Sequence, residues 1–161
     1  MKLGPLLEIL REEFPGLPER LGGEVSSITA NADEVRQDSV FVAVPGTRVD
    51  GHSFLLKAKS AGAILLVGER DGKEFGLNDE EYLKVPNSRL ALGLLASQFE
   101  ENPSREMQVI GVTGTSGKTT TSYIIESILR ASGIKVGLIG TVSYRVDGRE
   151  IPSTHTTPGP V

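Results

Sequence analysis

The residues best suited to chemistry lie in one run, Gly111-Val112-Thr113-Gly114-Thr115-Ser116-Gly117-Lys118-Thr119-Thr120. Glycines let successive backbone N–H groups converge on one point, as phosphate oxygens require. Lys118 follows the last glycine, where its ammonium can reach terminal phosphates, and the Thr119 hydroxyl beside it is a hard oxygen donor suited to Mg²⁺. The strict phosphate-loop pattern needs glycine five residues before Gly117; this chain has Val112 there, with Gly111 and Gly114 flanking it. Gly-Lys-Thr alone is common in proteins, and the flanking elements decide its meaning. Gln108–Val112 reads as a strand, and the residues after the loop read as a helix with Ile124, Ile125, Ile128 and Leu129 on one face, ended by Gly133. A glycine loop between strand and helix adds the helix N-terminus to the phosphate donors and predicts a nucleoside triphosphate site.

The elements that must position this loop follow from periodicity. Leu6, Leu7, Ile9, Leu10 and Phe14 have helical spacing and stop at Pro15-Gly16. Val25–Thr29 and Ser39–Val44 are β-branched or aromatic-rich runs, the second closed by Pro45-Gly46. A helix over Ser53–Ala61 follows, then a continuous apolar strand, Ala63–Val67, of the kind buried on both faces. Asp71–Glu81 reads as a surface loop, and Tyr82–Val85 as a brief strand. Ser88 is placed to cap a helix through Leu90, Leu92, Leu94, Leu95 and Phe99, stopped at Asn102-Pro103. Lys135–Val146 resumes as a strand. This alternation predicts an α/β fold: a small N-terminal domain over residues 1–87, then from 88 to 161 the first βαβ portion of a phosphate-loop domain with a mostly parallel sheet.

The 161 residues suit one ordinary domain or two small ones, and 38% hydrophobic with 24% charged residues is the balance of a folded chain. No run approaches a membrane span and no leader-like apolar block opens the chain, so the cytoplasm is expected. The absence of cysteine excludes disulfides, thiolate metal sites and a cysteine nucleophile. A net charge of -4 argues against a nucleic-acid partner, because a phosphate backbone demands a basic surface.

The loop Gly-x-x-Gly-Thr-x-Gly-Lys-Thr-Thr resembles the ATP loop of the Mur ligase superfamily, which includes folylpolyglutamate and cyanophycin synthetases. Val40-Phe41-Val42-Ala43-Val44-Pro45-Gly46 with Asp50-Gly51-His52-Ser53-Phe54 is similar to the UDP-binding domain of the MurE type. Gly137-Leu138-Ile139-Gly140-Thr141 and Thr156-Thr157-Pro158 stand in that family's order. The resemblance implies an ATP- and Mg²⁺-dependent ligase that joins meso-diaminopimelate or lysine to UDP-N-acetylmuramoyl-L-alanyl-D-glutamate through an acyl phosphate. It implies ATP on Gly114, Thr115, Ser116, Gly117, Lys118, Thr119 and Thr120, with Thr119 also on the metal. Thr47, Arg48 and Val49 would meet the uridine end of the substrate, and His155, Thr156 and Thr157 its UDP-N-acetylmuramoyl-dipeptide. One stretch departs: where the family often reads Asp-Ser-Arg after a strand, Ile28-Thr29-Ala30 is followed here by Asn31-Ala32-Asp33, without the hydroxyl and the guanidinium.

By the same resemblance, a further magnesium-holding glutamate, a carbamylated lysine and the amino-acid-binding domain belong to sequence beyond Val161. The 161 residues are therefore expected to hold the front of the enzyme and not to ligate alone. The whole enzyme is expected as a monomer, and uncovered strand edges would favour self-association of the shorter chain. Three readings compete: a non-catalytic UDP-sugar or nucleotide binding module, another Mur-superfamily amide ligase, and an unrelated small phosphate-loop NTPase. His52 is expected to hydrogen-bond within its loop rather than act as a base, Arg48 is by base rate a solvated charge, and Asp79-Glu80-Glu81 a solvated face.

Overall fold

In the computed structural model, which describes residues 1–18, 22–46, 49–146 and 149–152, four short apolar runs form one sheet. They are β1 (Ser27–Thr29), β2 (Ser39–Val42), β3 (Leu65–Gly68) and β4 (Tyr82–Lys84), paired in sequence order and all parallel. Val40 faces Leu65 and Ile28 faces Val40 in register. Every residue of β2 and β3 is buried, which a continuous apolar run achieves only when both faces of the sheet are covered.

Side-chain alternation sorts the core into two layers. Ile28, Val40, Val42, Leu65, Val67, Leu83 and Val85 pack with α1 (Leu3–Glu13) and α3 (Ser88–Phe99). Phe41, Ala43, Leu66 and Tyr82 face the other way, onto Leu55 and Ala58 of α2 (Leu55–Ser60) and onto Leu77. Leu6, Leu7 and Leu10 line one stripe of α1 at helical spacing and are almost wholly buried. Burial on this scale contributes about 1.5–3 kcal/mol per leucine.

Met1–Glu106 forms one compact unit and a second begins at Met107. This moves the boundary expected at residue 87. Helix α3 belongs to the first unit because its apolar stripe, Ala91, Leu92 and Leu95, completes the same layer as α1. Its cap is also shifted from Ser88 to Asn87, whose side chain accepts from the Leu90 N–H at 3.0 Å. Ser88 is freed for another contact described below.

The second unit holds α4 (Lys118–Ala131) and an antiparallel meander of β5 (Gly137–Ile139), β6 (Ser143–Val146) and β7 (Arg149–Pro152). Two expectations are corrected here. Gln108–Val112 is not a strand: among the described residues no ladder partner lies beside it, and Val109 and Ile110 are 73% and 58% exposed. Strand propensity becomes a strand only where a neighbour takes the backbone hydrogen bonds. Lys135–Val146 is not one strand of a parallel sheet either. It turns at Gly140-Thr141-Val142 and pairs Leu138 with Arg145, as an antiparallel hairpin joined by a short loop can. What fastens α4 to this meander is a buried carboxylate: Glu126, 4% exposed, receives Arg145 at 2.9 Å and Arg130 at 3.4 Å. Arg145 also lies 4.9 Å over the Tyr123 ring, and the Tyr123 hydroxyl is 3.1 Å from Ser143 Oγ.

Replacing Leu95 with alanine should destabilise the first unit by about 2–5 kcal/mol, because the methylenes leave a cavity between α3 and the sheet. Denaturant unfolding followed by circular dichroism measures this, and an unchanged midpoint would separate α3 from that core.

Candidate functional site

A parallel sheet delivers the ends of β1, β2, β3 and β4 to one edge, the usual place for ligands in open α/β sheets. The described ends of the loop leaving β2 are held to each other there. Pro45 pairs with Asp50, the Gly46 N–H donates to Val49 O at 3.1 Å, and the Gly51 N–H donates to Val44 O at 3.1 Å. Glycine is required at both ends, since a Cβ on Gly46 would stand 2.5 Å from Val49 O and one on Gly51 2.6 Å from Val44 O. Val49, one of the expected substrate contacts, is 55% exposed at this loop. Thr47 and Arg48 lie outside the described residues, as do His155, Thr156 and Thr157.

Helix α3 points its first turn at the same edge. Arg89 donates from Nη2 to Pro45 O at 2.6 Å, and Glu69, just past β3, accepts from both the N–H and the hydroxyl of Ser88 at 2.9 Å. A carboxylate at a helix N-terminus answers both the free N–H groups and the dipole. Nothing local in the sequence distinguishes Arg89 or Glu69 from solvated charges.

His52 is 1% exposed and sits between the β2 and β3 loops. Its Nδ1 is 2.6 Å from Asp50 Oδ1, and its Nε2 accepts from the Glu69 N–H at 2.9 Å and the Arg70 N–H at 3.3 Å. Two donors aimed at Nε2 require that nitrogen to be unprotonated, so the proton resides on Nδ1 and points at the carboxylate. The ring stacks on Phe75 with centroids 6.0 Å apart. Hydrogen bonds from the His52 backbone N–H and then its ring hold the Asp50 carboxyl below its usual value, with a smaller contribution from Arg70. Burial pushes the Tyr82 hydroxyl, which donates to Arg70 O at 2.8 Å, above its ordinary range. His52 is thus the loop hydrogen-bonding residue expected from the sequence, not a base.

The loop leaving β1 closes on itself. Asn31 Oδ1 accepts from the Asp33 N–H at 3.1 Å, Asn31 Nδ2 donates to Glu34 at 3.0 Å, and Lys57 meets Asp33 at 2.5 Å. An acidic turn therefore stands where the departure from Asp-Ser-Arg was noted. A shallow cleft of about 490 Å³ also opens on the first unit, lined by Phe14, Pro15, Leu17, Val85 and Pro86; Glu69 at its rim is already committed to Ser88.

In the second unit, Gly114 and Gly117 take φ of 155° and 75°, and Gly117 is the residue that starts α4. The left-handed turn at Gly117 favours glycine. No side chain caps α4, so the first-turn N–H groups of Lys118, Thr119 and Thr120 face outward. Lys118 Nζ lies 2.6 Å from Gly114 O, folded over the loop, and Thr119 Oγ1 is 3.5 Å from Thr141 Oγ1. The structure thus brings Gly114, Thr115, Ser116, Gly117, Lys118, Thr119 and Thr120 together around one helix N-terminus, an arrangement able to bind phosphate oxygens. The exposed Thr119 hydroxyl is a single hard oxygen donor of the kind Mg²⁺ takes beside substrate phosphates. Among the described residues no cluster of His, Asp or Glu forms a separate metal centre.

The chain matches the Mur ligase family, catalytic domain, over residues 24–100 and the Mur ligase middle domain over residues 112–161. It is 43% identical to a UDP-N-acetylmuramyl-tripeptide synthetase of Deinococcus radiodurans over 98% of the chain and 33% of that protein. It is 39% identical to a UDP-N-acetylmuramoyl-L-alanyl-D-glutamate--2,6-diaminopimelate ligase of Geobacillus thermodenitrificans over 94% of the chain and 31% of the relative. The chain thus spans about a third of the length of the curated relatives it matches. Among solved structures it is similar to a MurF ligase from Thermotoga maritima in complex with ADP, at 39% identity and a TM-score of 0.52 over 65% of the chain and 23% of that structure. A UDP-N-acetylmuramoyl-L-alanyl-D-glutamate--2,6-diaminopimelate ligase shares the fold, with a TM-score of 0.71 at 19% identity over 98% of the chain and 31% of that structure.

The depressed pKa of Asp50 has a testable sign. Its contribution to stability is present above the unfolded value near 3.8 and is lost as pH falls through the lower folded value. Asp50→Asn should therefore be less stable than the wild type at neutral pH, modestly so because the carboxylate is 45% exposed. The two should converge in thermal unfolding as the pH drops below 3.8. A gap that persists there would mean that the carboxylate's charge is not what the loop uses.

Proposed function

The chain belongs to the Mur ligase family, and on that premise we propose that it is part of an ATP-dependent ligase of peptidoglycan synthesis, of the MurE type. The enzyme joins an amino acid, meso-diaminopimelate or lysine, to UDP-N-acetylmuramoyl-L-alanyl-D-glutamate in the cytoplasm and so serves cell shape and division. The observation that carries this reading is the glycine loop with Lys118 folded over it at an uncapped helix start, in a chain whose relatives make the tripeptide precursor.

In this scheme the substrate carboxylate takes the γ-phosphoryl group of ATP and ADP leaves. The amine of the incoming amino acid then attacks the acyl carbon, and phosphate departs as the amide forms. This chain's share is binding and orientation. The N–H groups from Gly114 to Thr120 receive the β- and γ-phosphates, and Lys118 leaves its internal partner Gly114 O to offset their charge. Thr119 would hold Mg²⁺, which would supply positive charge to offset that of the phosphates. The Pro45–Asp50 loop of the first unit, through Thr47, Arg48 and Val49, takes the uridine end, and by the family resemblance His155, Thr156 and Thr157, far along the sequence from that unit, meet the dipeptide portion. The acidic Asn31–Glu34 turn itself offers no cation to the diphosphate, whereas Arg89, already at Pro45 O, is one guanidinium at hand on that edge.

A second reading, another amide ligase of the same family, is favoured by the likeness to the Thermotoga maritima MurF ligase. A similar solved structure, from Acinetobacter baumannii, is named a UDP-N-acetylmuramoylalanyl-D-glutamyl-2,6-diaminopimelate--D-alanyl-D-alanyl ligase, so this second reading would take the tripeptide form.

Calorimetric titration separates these readings. The chain should bind UDP-N-acetylmuramoyl-L-alanyl-D-glutamate in preference to the tripeptide form, and Mg·ATP independently of either. Lys118→Ala should weaken Mg·ATP at least about tenfold, the cost of a lost charge-assisted contact, and leave the UDP ligand unaffected. Preference for the tripeptide form would move the assignment to the second reading, and ATP binding unchanged in Lys118→Ala would remove the loop from it.

A further inference from the structure

His52 is more buried than packing alone explains. An imidazole costs desolvation in a core unless both nitrogens are paired, and a phenyl ring or leucine would fill the same space at no such cost. Here both are paired, and the partners belong to different segments. Nδ1 faces Asp50, the last residue of the loop leaving β2, while Nε2 takes the N–H groups of Glu69 and Arg70, the first residues past β3. The Asp50 carboxylate also accepts the His52 N–H at 3.0 Å, so the residue is fixed to its own loop by main chain and side chain together.

The surroundings leave the ring one position. A Cβ on Gly68 would stand 2.7 Å from His52 Nε2 and 2.5 Å from the Tyr82 hydroxyl, so the strand end approaches the ring closely because it lacks a side chain. Phe75 covers one ring face, and Arg70 lies 5.0 Å over Phe75 while reaching Asp50 at 3.7 Å and Glu74. At its other end the loop is tied by Arg89 to Pro45 O. Both legs of the loop are therefore fixed, one to the start of α3 and one through a single imidazole to the end of β3.

We propose that His52 is a positioning residue for substrate: it fixes the outgoing leg, Val49–Asp50, to the residues just past β3, and so presets where that leg stands when the UDP end of the substrate arrives. This rests on the functional reading above and adds to it a specific device, an acceptor at Nε2. Preorganisation of this kind appears in affinity because that leg is held in place before the ligand arrives.

Three variants separate the device from mere packing. His52→Gln keeps an acceptor near the Nε2 position, His52→Asn keeps only a donor toward Asp50, and His52→Ala keeps neither. Titrated with UDP-N-acetylmuramoyl-L-alanyl-D-glutamate below their melting temperatures, His52→Asn and His52→Ala should bind about tenfold or more weakly, since two N–H groups lose their acceptor. His52→Gln should stay close to wild type even if its thermal stability falls, and Mg·ATP affinity should not change in any of them. Nitrogen NMR of the wild type should show Nδ1 protonated and Nε2 bare. If the wild type does not bind the UDP ligand, the functional reading fails and the substrate role of His52 with it. If the wild type binds and His52→Asn and His52→Ala bind equally well, only the positioning role is overturned. Gln no better than Ala, or a protonated Nε2, overturns it too.

Discussion

Each N–H and C=O of a parallel strand must find its partner on a neighbour running the same way, so strands joined in sequence return by a crossover and every outgoing loop emerges at one edge. In the first unit this holds for four strands in the order β1-β2-β3-β4. Pro45, Asp50, Glu69, Arg70 and the start of α3 come together for that reason, although they are spread from residue 45 to residue 89 in sequence. Their side chains then link the loops: Arg89 to Pro45, Glu69 to Ser88, His52 to Asp50 and to Glu69. The two-layer core holds this sheet between helices, and the loops inherit their positions from it.

The second unit solves a different problem with the same tools. Phosphate binding needs N–H groups without internal partners, and a helix start supplies them if nothing caps it. Gly117 begins α4 in a left-handed conformation and brings no side chain to compete, while the buried Glu126 between Arg130 and Arg145 fixes the helix to its meander. A buried carboxylate is costly unless fully paired, and here it accepts from two guanidinium groups. The chemistry-bearing loop is thus open at one end of α4, and a charged clasp sits further along the same helix.

Much of this was legible in the sequence where one residue's role is local. The runs of β2, β3 and α1 announced themselves because continuous apolarity and a helical leucine stripe have few other uses, and the glycine loop because its residues act within a few positions of each other. What was not legible depended on partners distant in sequence. Gln108–Val112 has strand composition but lacks a neighbour to pair with among the described residues, and Lys135–Val146 reads as one strand until Gly140-Thr141-Val142 turns it back on itself. Helix α3 has an apolar stripe that periodicity detects, yet only the layer shared with α1 says which unit owns it. Arg89 and Glu69 look like any surface charge until the sheet edge brings Pro45 and Ser88 to them. His52 could be read as a hydrogen-bonding loop residue, and its partners just past β3, the N–H groups of Glu69 and Arg70, could not.

We propose that the uridine end of the substrate meets the sheet edge of the first unit and that ATP meets the glycine loop of the second. Amide hydrogen exchange resolved by residue, with each ligand added alone, tests it most directly. UDP-N-acetylmuramoyl-L-alanyl-D-glutamate should slow exchange at Val44–Asp50 and at Glu69 and Arg70, and Mg·ATP should slow it at Gly114–Thr120. Protection of the same residues by both ligands, or no protection at the first set by the UDP ligand, would contradict the account.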